Sequence, residues 1–310
     1  MTEQNPFQLA QFDLGHTRGI ATFMGAPRLE DMENAEVGII GIPFDGAMVG
    51  TPGTRHGPRE IRHRSGQFNN PYNAALKVSP FKKHKICDCG DLVLSPFSIV
   101  QAHGSITDAV ATLLNKNILP VCIGGDHSIT YPILKAIFQK HGPVGVVDFD
   151  SHTDRRDHAY GEEYTHGTMF RRGIEEGFII PDKLMQVGIR RLFAENELDF
   201  HAEHNCRVIS TIELKQMGVE GFKQELKILK DVKVYITFDI DFVDPAFAPG
   251  TGGPEPGGVS SFEALQFVRA LQGLNIVGLD LVEVSPPLDV GNLTSALATR
   301  ILFEMMSILP

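Results

Sequence analysis

The sequence has few of the features that mark a secreted, membrane-spanning or zinc-finger protein. Its four cysteines suggest no disulfide framework, and the spacing of Cys87 and Cys89 is not that of a zinc finger. No apolar run reaches the ~18 residues that a membrane-spanning helix needs. Residues 1–19 contain neither the basic nor the apolar segment of a secretory signal. We therefore expect a cytoplasmic protein that does not enter a membrane.

An excess of positive charge is also absent. The 28 Lys and Arg residues are outnumbered by 38 Asp and Glu residues, which gives a formal net charge of -10. A general binder of nucleic acid or of anionic membranes needs a basic excess to neutralise phosphates, so both classes are excluded. Hydrophobic residues make up 42% of the chain, which is enough for a sizeable core.

Short apolar runs alternate with segments of helical spacing. The runs are rich in Val and Ile and do not alternate with polar residues, which is typical of strands buried on both faces. They cover residues 36–44, 118–125, 143–150, 183–190, 206–210, 233–241 and 275–284. The helical segments are 98–115, 128–140, 212–230, 260–272 and 292–308. This order predicts an α/β protein with a parallel sheet covered on both sides.

No long linker or internal repeat divides the chain. We therefore predict a single domain over residues 1–310. Within it, residues 1–35 are interpreted as an N-terminal extension that contacts a neighbouring subunit, with simple packing as the alternative for Phe23 and Met24.

Acidic residues and histidines follow several of the predicted strands. In open parallel sheets, ligands bind beyond the carboxyl ends of the strands, so these side chains are expected to converge. The segments are "GGDHS", "DFDSHTD", "DID" and "EVSPP". The candidate metal ligands within them are His127, Asp150, His152, Asp154, Asp239 and Asp241.

Four carboxylates packed together would repel one another unless cations neutralise them. Two divalent ions would cancel the four charges, and mixed carboxylate and imidazole ligands suit Mn²⁺, with Zn²⁺, Co²⁺ and Ni²⁺ as alternatives. Each segment alone has a plainer interpretation, since "GGDHS" also fits a turn that caps a helix. Together they favour a two-metal site that activates water.

Five segments resemble the signatures of the ureohydrolases, the family of arginase, agmatinase and the guanidino-acid hydrolases. These segments are "GGDHSIT", "DFDSHTD", "YTHGTMF", "TFDIDFVDPAFAPGTG" and "LDLVEVSPPLD", and "RHGPREIR" near the front agrees with them. The strings "DPAFAPGTG" and "GIATFM" are closer to the agmatinase and guanidino-acid branch, including guanidinobutyrase-like and proclavaminate-amidinohydrolase-like enzymes.

The resemblance implies an arginase-like three-layer α/β/α fold around an eight-stranded, mostly parallel sheet. It also implies two divalent ions per subunit, foremost Mn²⁺, with Ni²⁺ or Co²⁺ as alternatives. One ion would be held by His127, Asp150, Asp154 and Asp239, and the other by His152, Asp150, Asp239 and Asp241. Asp148 shares the strand's period but matches no ligand position, so we expect it to support the ligands from behind.

The implied reaction is hydrolysis of a guanidino compound to urea, or a substituted urea, and an amine. A metal-bridging hydroxide would attack the guanidinium carbon, and Asp154 would carry the proton to the departing amine. Glu283 would pair with the guanidinium, and His166 would contact substrate and transfer protons. From the residues alone, Glu283 also fits a salt-bridged strand end, and His166 fits a solvated loop histidine.

The substrate depends on loops that differ from the commoner family pattern. Arg155 and Arg156 could bind a substrate carboxylate, which favours a guanidino acid. Glu162 and Glu163 could attract a second cationic group, which favours agmatine or a biguanide, and solvated ion pairs would explain all four residues equally well. Glu255 occupies a position that is often neutral in this branch, so its loop is also a candidate for altered specificity.

Several alternatives stay open at this point. Other substrates include guanidine, alkylguanidines and biguanides such as metformin. Other activities include a formimino-group hydrolase, a single-zinc deacetylase on the same fold, and a poorly active partner in a hetero-oligomer. The family resemblance implies a homotrimer or homohexamer, with a paralogous partner chain as the alternative.

Overall fold

The computed structural model describes residues 20–67, 71–191 and 197–310. Eight strands in these ranges form one sheet in which every neighbouring pair is parallel. The strands are β1 (Val37–Ile42), β2 (Ile86–Asp91), β3 (Leu119–Gly124), β4 (Val144–Phe149), β5 (Ile179–Ile189), β6 (Arg207–Ser210), β7 (Lys233–Asp239) and β8 (Asn275–Val282). Their order across the sheet is β2-β1-β3-β8-β7-β4-β5-β6.

Helices cover both faces of the sheet. They are α1 (Gly57–Ser65), α2 (Pro80–Lys83), α3 (Ile99–Asn115), α4 (Thr130–His141), α5 (Met169–Glu175), α6 (Glu197–Glu203), α7 (Thr211–Glu225), α8 (Ser261–Ala270) and α9 (Leu293–Ser307). Buried side chains of α1, α7, α8 and α9 belong to one core cluster, and those of α3, α4, α5 and α6 belong to a second.

Successive residues of a strand enter opposite clusters. Ile39 of β1 packs in the first cluster and Ile40 in the second, and the same division separates Val147 from Val146 in β4. Because side chains alternate across a strand, β1 and β4 contribute to both cores and are buried on both faces. The three-layer α/β/α prediction is confirmed, and the sheet is parallel throughout rather than mostly so.

One strand was absent from the sequence prediction. Strand β2 lies at the sheet edge and has the sequence "ICDCGD", which contains too many polar residues to resemble a buried run. Its Asp88 accepts hydrogen bonds from the buried Arg62 guanidinium at 2.8 and 3.0 Å, and Asp91 pairs with the same group. The Arg62 guanidinium on α1 thus stabilises Asp88 and Asp91, whose presence in a strand the hydrophobic periodicity of the sequence did not predict.

The predicted N-terminal extension lies only partly within the described residues, since residues 1–19 fall outside them. Phe23 and Met24 are buried in the first core cluster. Their backbone N–H groups donate to Asp88 and Ser65 at 2.8 and 2.7 Å. In the described part, this segment therefore packs on its own chain, and contact with another subunit stays a prediction. None of the helices described is long and apolar enough to cross a bilayer.

Candidate metal centre and active site

Four neighbouring strands at the centre of the sheet deliver the predicted site residues to one edge. The order β3-β8-β7-β4 places His127 after β3, Glu283 after β8, Asp239 at the end of β7 and Asp150 after β4. Asp126 caps the short 3-10 helix His127–Ile129 by accepting a hydrogen bond from Ser128 N–H at 3.0 Å. Parallel pairing therefore makes residues far apart in sequence converge, as expected from the strand-end pattern.

The first group of possible metal ligands surrounds the His127 ring. Its Nδ1 atom lies 3.2 Å from Asp150 Oδ2, 3.2 Å from Asp154 Oδ2 and 3.4 Å from Asp239 Oδ2. His127 Nδ1 and Asp150 Oδ2 are both buried and have no hydrogen-bond partner among the residues that the structure describes. Buried polar atoms are rarely left unpaired, and imidazole with carboxylates is a suitable donor set for a divalent ion. These residues therefore fit a metal.

A second group shares Asp150 with the first. His152 Nδ1 lies 2.9 Å from Asp241 Oδ2 and 3.6 Å from Asp150 Oδ1. The two carboxylate oxygens of Asp150 thus face different histidines, so this residue can join two metal positions. Asp239 belongs to the first group, while its Oδ1 atom accepts the Asp241 N–H at 2.8 Å. Two groups with one shared carboxylate are the arrangement that a pair of ions requires.

The protonation of the cluster reflects its crowding. Burial and the negative charges of Asp241 and Asp154 raise the pKa of Asp150 to about 6. Burial lowers the pKa of His152, but the charge of Asp241 and hydrogen bonds to Asp150 and Asp241 more than offset this and raise it to about 12. Protons thus hold the carboxylates together when no cation does, and divalent ions would replace them.

A hydroxyl and a carboxylate lie behind the His127 ring, and no motif in the sequence predicted them. His127 Nε2 lies 2.9 Å from Thr237 Oγ1, and Thr237 donates its only hydroxyl hydrogen to Asp280 at 2.5 Å. The threonine oxygen must therefore accept from Nε2–H, which leaves the lone pair of Nδ1 facing the carboxylates. Hydrogen bonds of this kind fix the tautomer of a metal-binding histidine and increase its basicity.

Replacing Thr237 by valine should weaken binding of the ion at His127 by about 10- to 100-fold, since a buried partner of the ligand is lost. Serine at this position should restore the affinity. The matched control is Thr130→Val, because the Thr130 hydroxyl also donates to Asp280, at 2.7 Å, whereas Thr130 contacts His127 through its backbone N–H, which valine keeps. Competition with a chromogenic chelator measures the affinity. Equal loss of metal affinity in both valine variants would mean that the effect arises from the lost hydrogen bond to Asp280 and not from the lost hydrogen bond to His127.

Glu283 is held in place by two donors and keeps one oxygen free of hydrogen bonds. Its Oε1 atom accepts from His127 N–H at 2.9 Å and lies 3.2 Å from His166 Nδ1. Its Oε2 atom is buried and has no partner. The carboxylate is thus prepared for one further strong donor, such as a guanidinium N–H.

His166 is engaged at both ring nitrogens. Val49 N–H donates to Nε2 at 3.2 Å, so the ring carries its proton on Nδ1, facing Glu283. Burial lowers the pKa of His166, but the hydrogen bond to Glu283 and the charges of Asp154 and Asp126 more than offset this and raise it to about 9. A pKa of about 9 would put a second proton on Nε2 near neutral pH, where it would face the Val49 N–H. The Val49 hydrogen bond therefore describes the singly protonated ring, and Val49 must move when Nε2 takes up a proton.

Asp154 and Glu283 adopt backbone conformations that their side chains disfavour. Their φ angles are 47° and 64°, in the left-handed region. Such conformations cost about 1–3 kcal/mol and persist where the surrounding structure enforces them, commonly at functional sites. Glu283 N–H donates to Gly125 O at 2.9 Å, which holds this turn in place.

A cavity of about 190 Å³ opens onto the cluster. It is lined by Val49, Gly50, His152, Asp154, Arg156, Ala159, His166, Gly167, Arg191, Asp239, Asp241, Thr251, Gly252, Gly253 and Glu283. Arg156 is thereby placed where a substrate-binding residue is expected. Arg191 was missed, because no spacing in a loop indicates which side chain faces a cavity. Residues 251–253 belong to the loop of Glu255, which the sequence analysis named as a candidate without identifying these three residues.

The other predicted residues lie elsewhere. Arg155 is 1% exposed and does not line the cavity, since its Nη1 atom lies 3.1 Å from His201 Nδ1 on α6. Its assignment to the substrate is corrected accordingly, because, of these two adjacent residues, only Arg156 lines the cavity. Glu162 and Glu163 are exposed. Glu255 pairs with Arg191 at 3.2 Å.

Asp148 is placed behind the ligands, as expected. It is fully buried, and its Oδ2 atom accepts a hydrogen bond from Gln186 at 2.7 Å. Gln186 also donates to Thr153 O at 2.8 Å, so it links the strand to the segment that carries Asp154.

Known proteins of one family resemble this chain over almost its whole length. The model of the arginase family matches residues 35–307. The chain is 39% identical to guanidinobutyrase of Pseudomonas aeruginosa, over 94% of this chain and 93% of the relative. It is 38% identical to mitochondrial agmatinase of Gallus gallus, over 94% and 86%.

The solved structure of proclavaminate amidinohydrolase from Streptomyces clavuligerus superposes with a TM-score of 0.89 at 39% identity, covering 94% of this chain and 97% of that one. The resemblance that the motifs indicated is confirmed. The chain therefore belongs to the arginase family, whose members hydrolyse C–N bonds of linear amidines with a pair of divalent metal ions.

Proposed function

We propose that the protein hydrolyses a guanidino acid to urea and an amino acid. The observation that carries this substrate class is the mixed charge of one cavity. Buried carboxylates, including Glu283, line it together with the guanidinium groups of Arg156 and Arg191. A molecule that is cationic at one end and anionic at the other complements such a cavity.

The cationic end would bind at Glu283. Because Oε1 already accepts from His127 and faces His166, the unpartnered Oε2 atom is left for a guanidinium N–H. A charge-assisted hydrogen bond here would orient the planar group toward the metal ligands. His166 holds Glu283 in this orientation, and its predicted part in proton transfer requires Nε2 to exchange Val49 for the substrate.

When bound, the two ions supply water of lowered pKa as the nucleophile at the guanidinium carbon. We assign His127, Asp150, Asp154 and Asp239 to one ion and His152, Asp150, Asp239 and Asp241 to the other. The place of Asp239 in the second set rests on the family resemblance, since the group around His152 consists of Asp150, His152 and Asp241. Asp154 takes the proton from the water and returns it to the departing amine. The C–N bond to the amine breaks, and one water is consumed for each urea and amine released.

The anionic end would bind at the two arginines. The Arg191 side chain is 46% exposed, so it lies toward the mouth of the cavity, whereas the metal ligands are buried. A linear substrate that reaches Glu283 would therefore direct its other end past Arg156 toward Arg191. The ammonium group of agmatine would meet two like charges there, which disfavours agmatine relative to guanidinobutyrate.

A screen for urea release tests the proposed function. Protein reconstituted separately with Mn²⁺, Ni²⁺ or Co²⁺ would be offered guanidinobutyrate, guanidinopropionate, agmatine, arginine, guanidine, alkylguanidines and metformin. We expect the highest kcat/KM with a guanidino acid. Preference for agmatine or a biguanide would refute the substrate class. Formamide release from a formimino compound would refute the reaction. Activity that requires addition of a paralogous chain would indicate that this protein is a partner subunit of a hetero-oligomer.

Replacing Arg156 by glutamine should raise the KM for a guanidino acid by about tenfold or more, because a hydrogen bond to a charged group contributes about 1.5–3 kcal/mol. Turnover of agmatine should be unchanged or improved. Arg171→Gln is the matched control, since Arg171 comes from the same region and pairs with Asp157 and Glu175. An equal loss for both substrates would argue against recognition of the carboxylate by Arg156.

Three further expectations are retained as proposals. Manganese is the expected metal, a homotrimer or homohexamer the expected assembly, and the cytoplasm the expected location. Metal content after purification and the mass of the native assembly in solution would test the first two.

A further inference from the structure

Arg190, which directly follows β5, donates only to backbone carbonyl groups. Its Nε atom donates to Glu255 O at 3.0 Å, Nη1 to Gly188 O at 3.2 Å and Phe242 O at 3.3 Å, and Nη2 to Asp241 O and Glu255 O, both at 2.6 Å. A guanidinium has five N–H groups, so every one of them is used. Four carbonyl groups from three segments are thereby held around one cation.

Two of those segments are central to the active site. Asp241 supplies a carboxylate to the second metal group, and its own carbonyl is bound by Arg190. Residues 250–258 form the loop that carries Glu255, and Thr251, Gly252 and Gly253 of this loop line the cavity. The same side chain thus joins a metal-binding turn to a wall of the cavity.

The backbone at Arg190 contacts the remaining part of the second metal group. The N–H groups of Arg190 and Arg191 both donate to Ser151 O, at 3.0 and 3.1 Å. Ser151 lies between Asp150 and His152, so this contact fixes the turn that presents both ligands. Within the described ranges, Arg190 forms no hydrogen bond with His127 or Asp239 of the first group.

The fit around the guanidinium is tight. A Cβ atom at Gly258 would lie 2.8 Å from Arg190 Nη2 and 2.6 Å from Asp244 N. Asp244 anchors the far end of the loop by accepting from Gly257 N–H at 2.8 Å and Gly258 N–H at 3.0 Å. Loop 250–258 is also held at Gly250, which donates to Thr294 and accepts from Ser285 N–H, both at 2.8 Å. Among these contacts, Arg190 is the one whose side chain also holds a metal-binding turn.

We infer that Arg190 is a positioning residue that couples the second metal group to loop 250–258, so that one side chain sets both the affinity of that ion and the shape of the substrate cavity. The effect on the substrate rests on the proposed function, whereas the effect on the metal does not. Lysine cannot substitute, because its three donors radiate from one atom and cannot reach four carbonyl groups at once.

The test is metal titration of Arg190→Lys without substrate. We expect the second ion to bind at least about tenfold more weakly, because loss of a group that supports metal ligands commonly has an effect of this size. The affinity of the first ion should stay within about twofold of the wild-type value. A His152→Ala variant identifies the step in the titration that belongs to the second ion. Equal weakening of both ions, or of neither, would overturn the inference.

Arg62→Lys is the matched control. Arg62 is another buried arginine, but it donates to Asp88, Asp91 and Gly90 O behind the edge strand β2. Its loss should lower the melting temperature and leave both metal affinities unchanged. With urea release as the readout, Arg190→Lys should raise KM by more than it lowers kcat at saturating metal, and a fall in kcat alone would contradict the coupling to the cavity wall.

Hydrogen exchange of the wild-type protein tests the same coupling without any substitution, and so remains decisive if Arg190→Lys does not fold. Loading the second ion should slow amide exchange in peptides that cover residues 250–258, although the loop contributes no metal ligand to either group. Unchanged exchange in that loop, with slower exchange around Asp241, would refute the coupling. Absence of urea release, with the expected change in hydrogen exchange still observed, would refute the proposed function but not the coupling between the second ion and loop 250–258.

Discussion

Asparagine in place of Asp154 should lower kcat by about 10²–10⁴-fold while the protein stays folded and binds metal at saturating concentration. The carboxylate lies 3.2 Å from His127 Nδ1, lines the cavity and is held at a φ of 47°. An amide oxygen at this position can still approach an ion, but an amide cannot take up a proton near neutral pH. The loss should therefore fall on the proton-transfer step and not on the assembly of the site.

The measurement combines urea release with metal content, so that a missing ion is not mistaken for a missing base. Asp157→Asn is the matched control, because Asp157 lies three residues further along the same segment and pairs with Arg171 and Arg172 instead of facing the cavity. Its kcat should equal that of the wild type. Near-normal turnover of Asp154→Asn with unchanged metal content would contradict the role assigned to Asp154.

The convergence of the metal ligands could be predicted because it follows from strand ends. A parallel sheet places the carboxyl ends of neighbouring strands together, so acidic residues just beyond β4 and β7 had to meet. His127 joined them because β3 is close to the same centre of the sheet. For these residues, the position directly after a predicted parallel strand was enough to predict their position in space.

Other contacts could not be predicted, because no rule of spacing describes them. Arg155 and Arg156 are adjacent, and only the course of the loop decides that Arg156 lines the cavity while Arg155 is buried against His201. Thr237 and Asp280 resemble ordinary strand residues until β7 and β8 pair and place them side by side. Arg190 is likewise a strand-end residue whose partners come from distant turns.

The two ligand groups also separate the rival functions. A deacetylase with one zinc ion would need one group, whereas this chain presents two that share Asp150. A silent partner subunit would be expected to lack a ligand or to block the cavity, and the cavity of this chain reaches Asp154, Asp239, Asp241 and Glu283. Both observations favour an active two-metal hydrolase.

Removal of the shared carboxylate should abolish binding of both ions, and thermal stability should report it. An ion that binds only the folded state at about a thousand times its Kd stabilises by about 4 kcal/mol. For a domain of this size that corresponds to a melting temperature higher by on the order of 10 °C. Wild-type protein should show this rise when metal is added and lose it when a chelator is added, whereas Asp150→Asn should show neither the rise nor any urea release.

Asp148→Asn makes this experiment specific to ligation, because Asp148 lies in β4, two residues before Asp150, which directly follows that strand. Burial and repulsion by Asp150 raise the pKa of Asp148 well above its usual range, which favours the neutral form that an amide resembles. The asparagine oxygen can still accept the hydrogen bond from Gln186. Metal should therefore stabilise Asp148→Asn as it does the wild type. If both variants lost the rise in melting temperature, the strand as a whole, and not the Asp150 carboxylate, would determine metal binding.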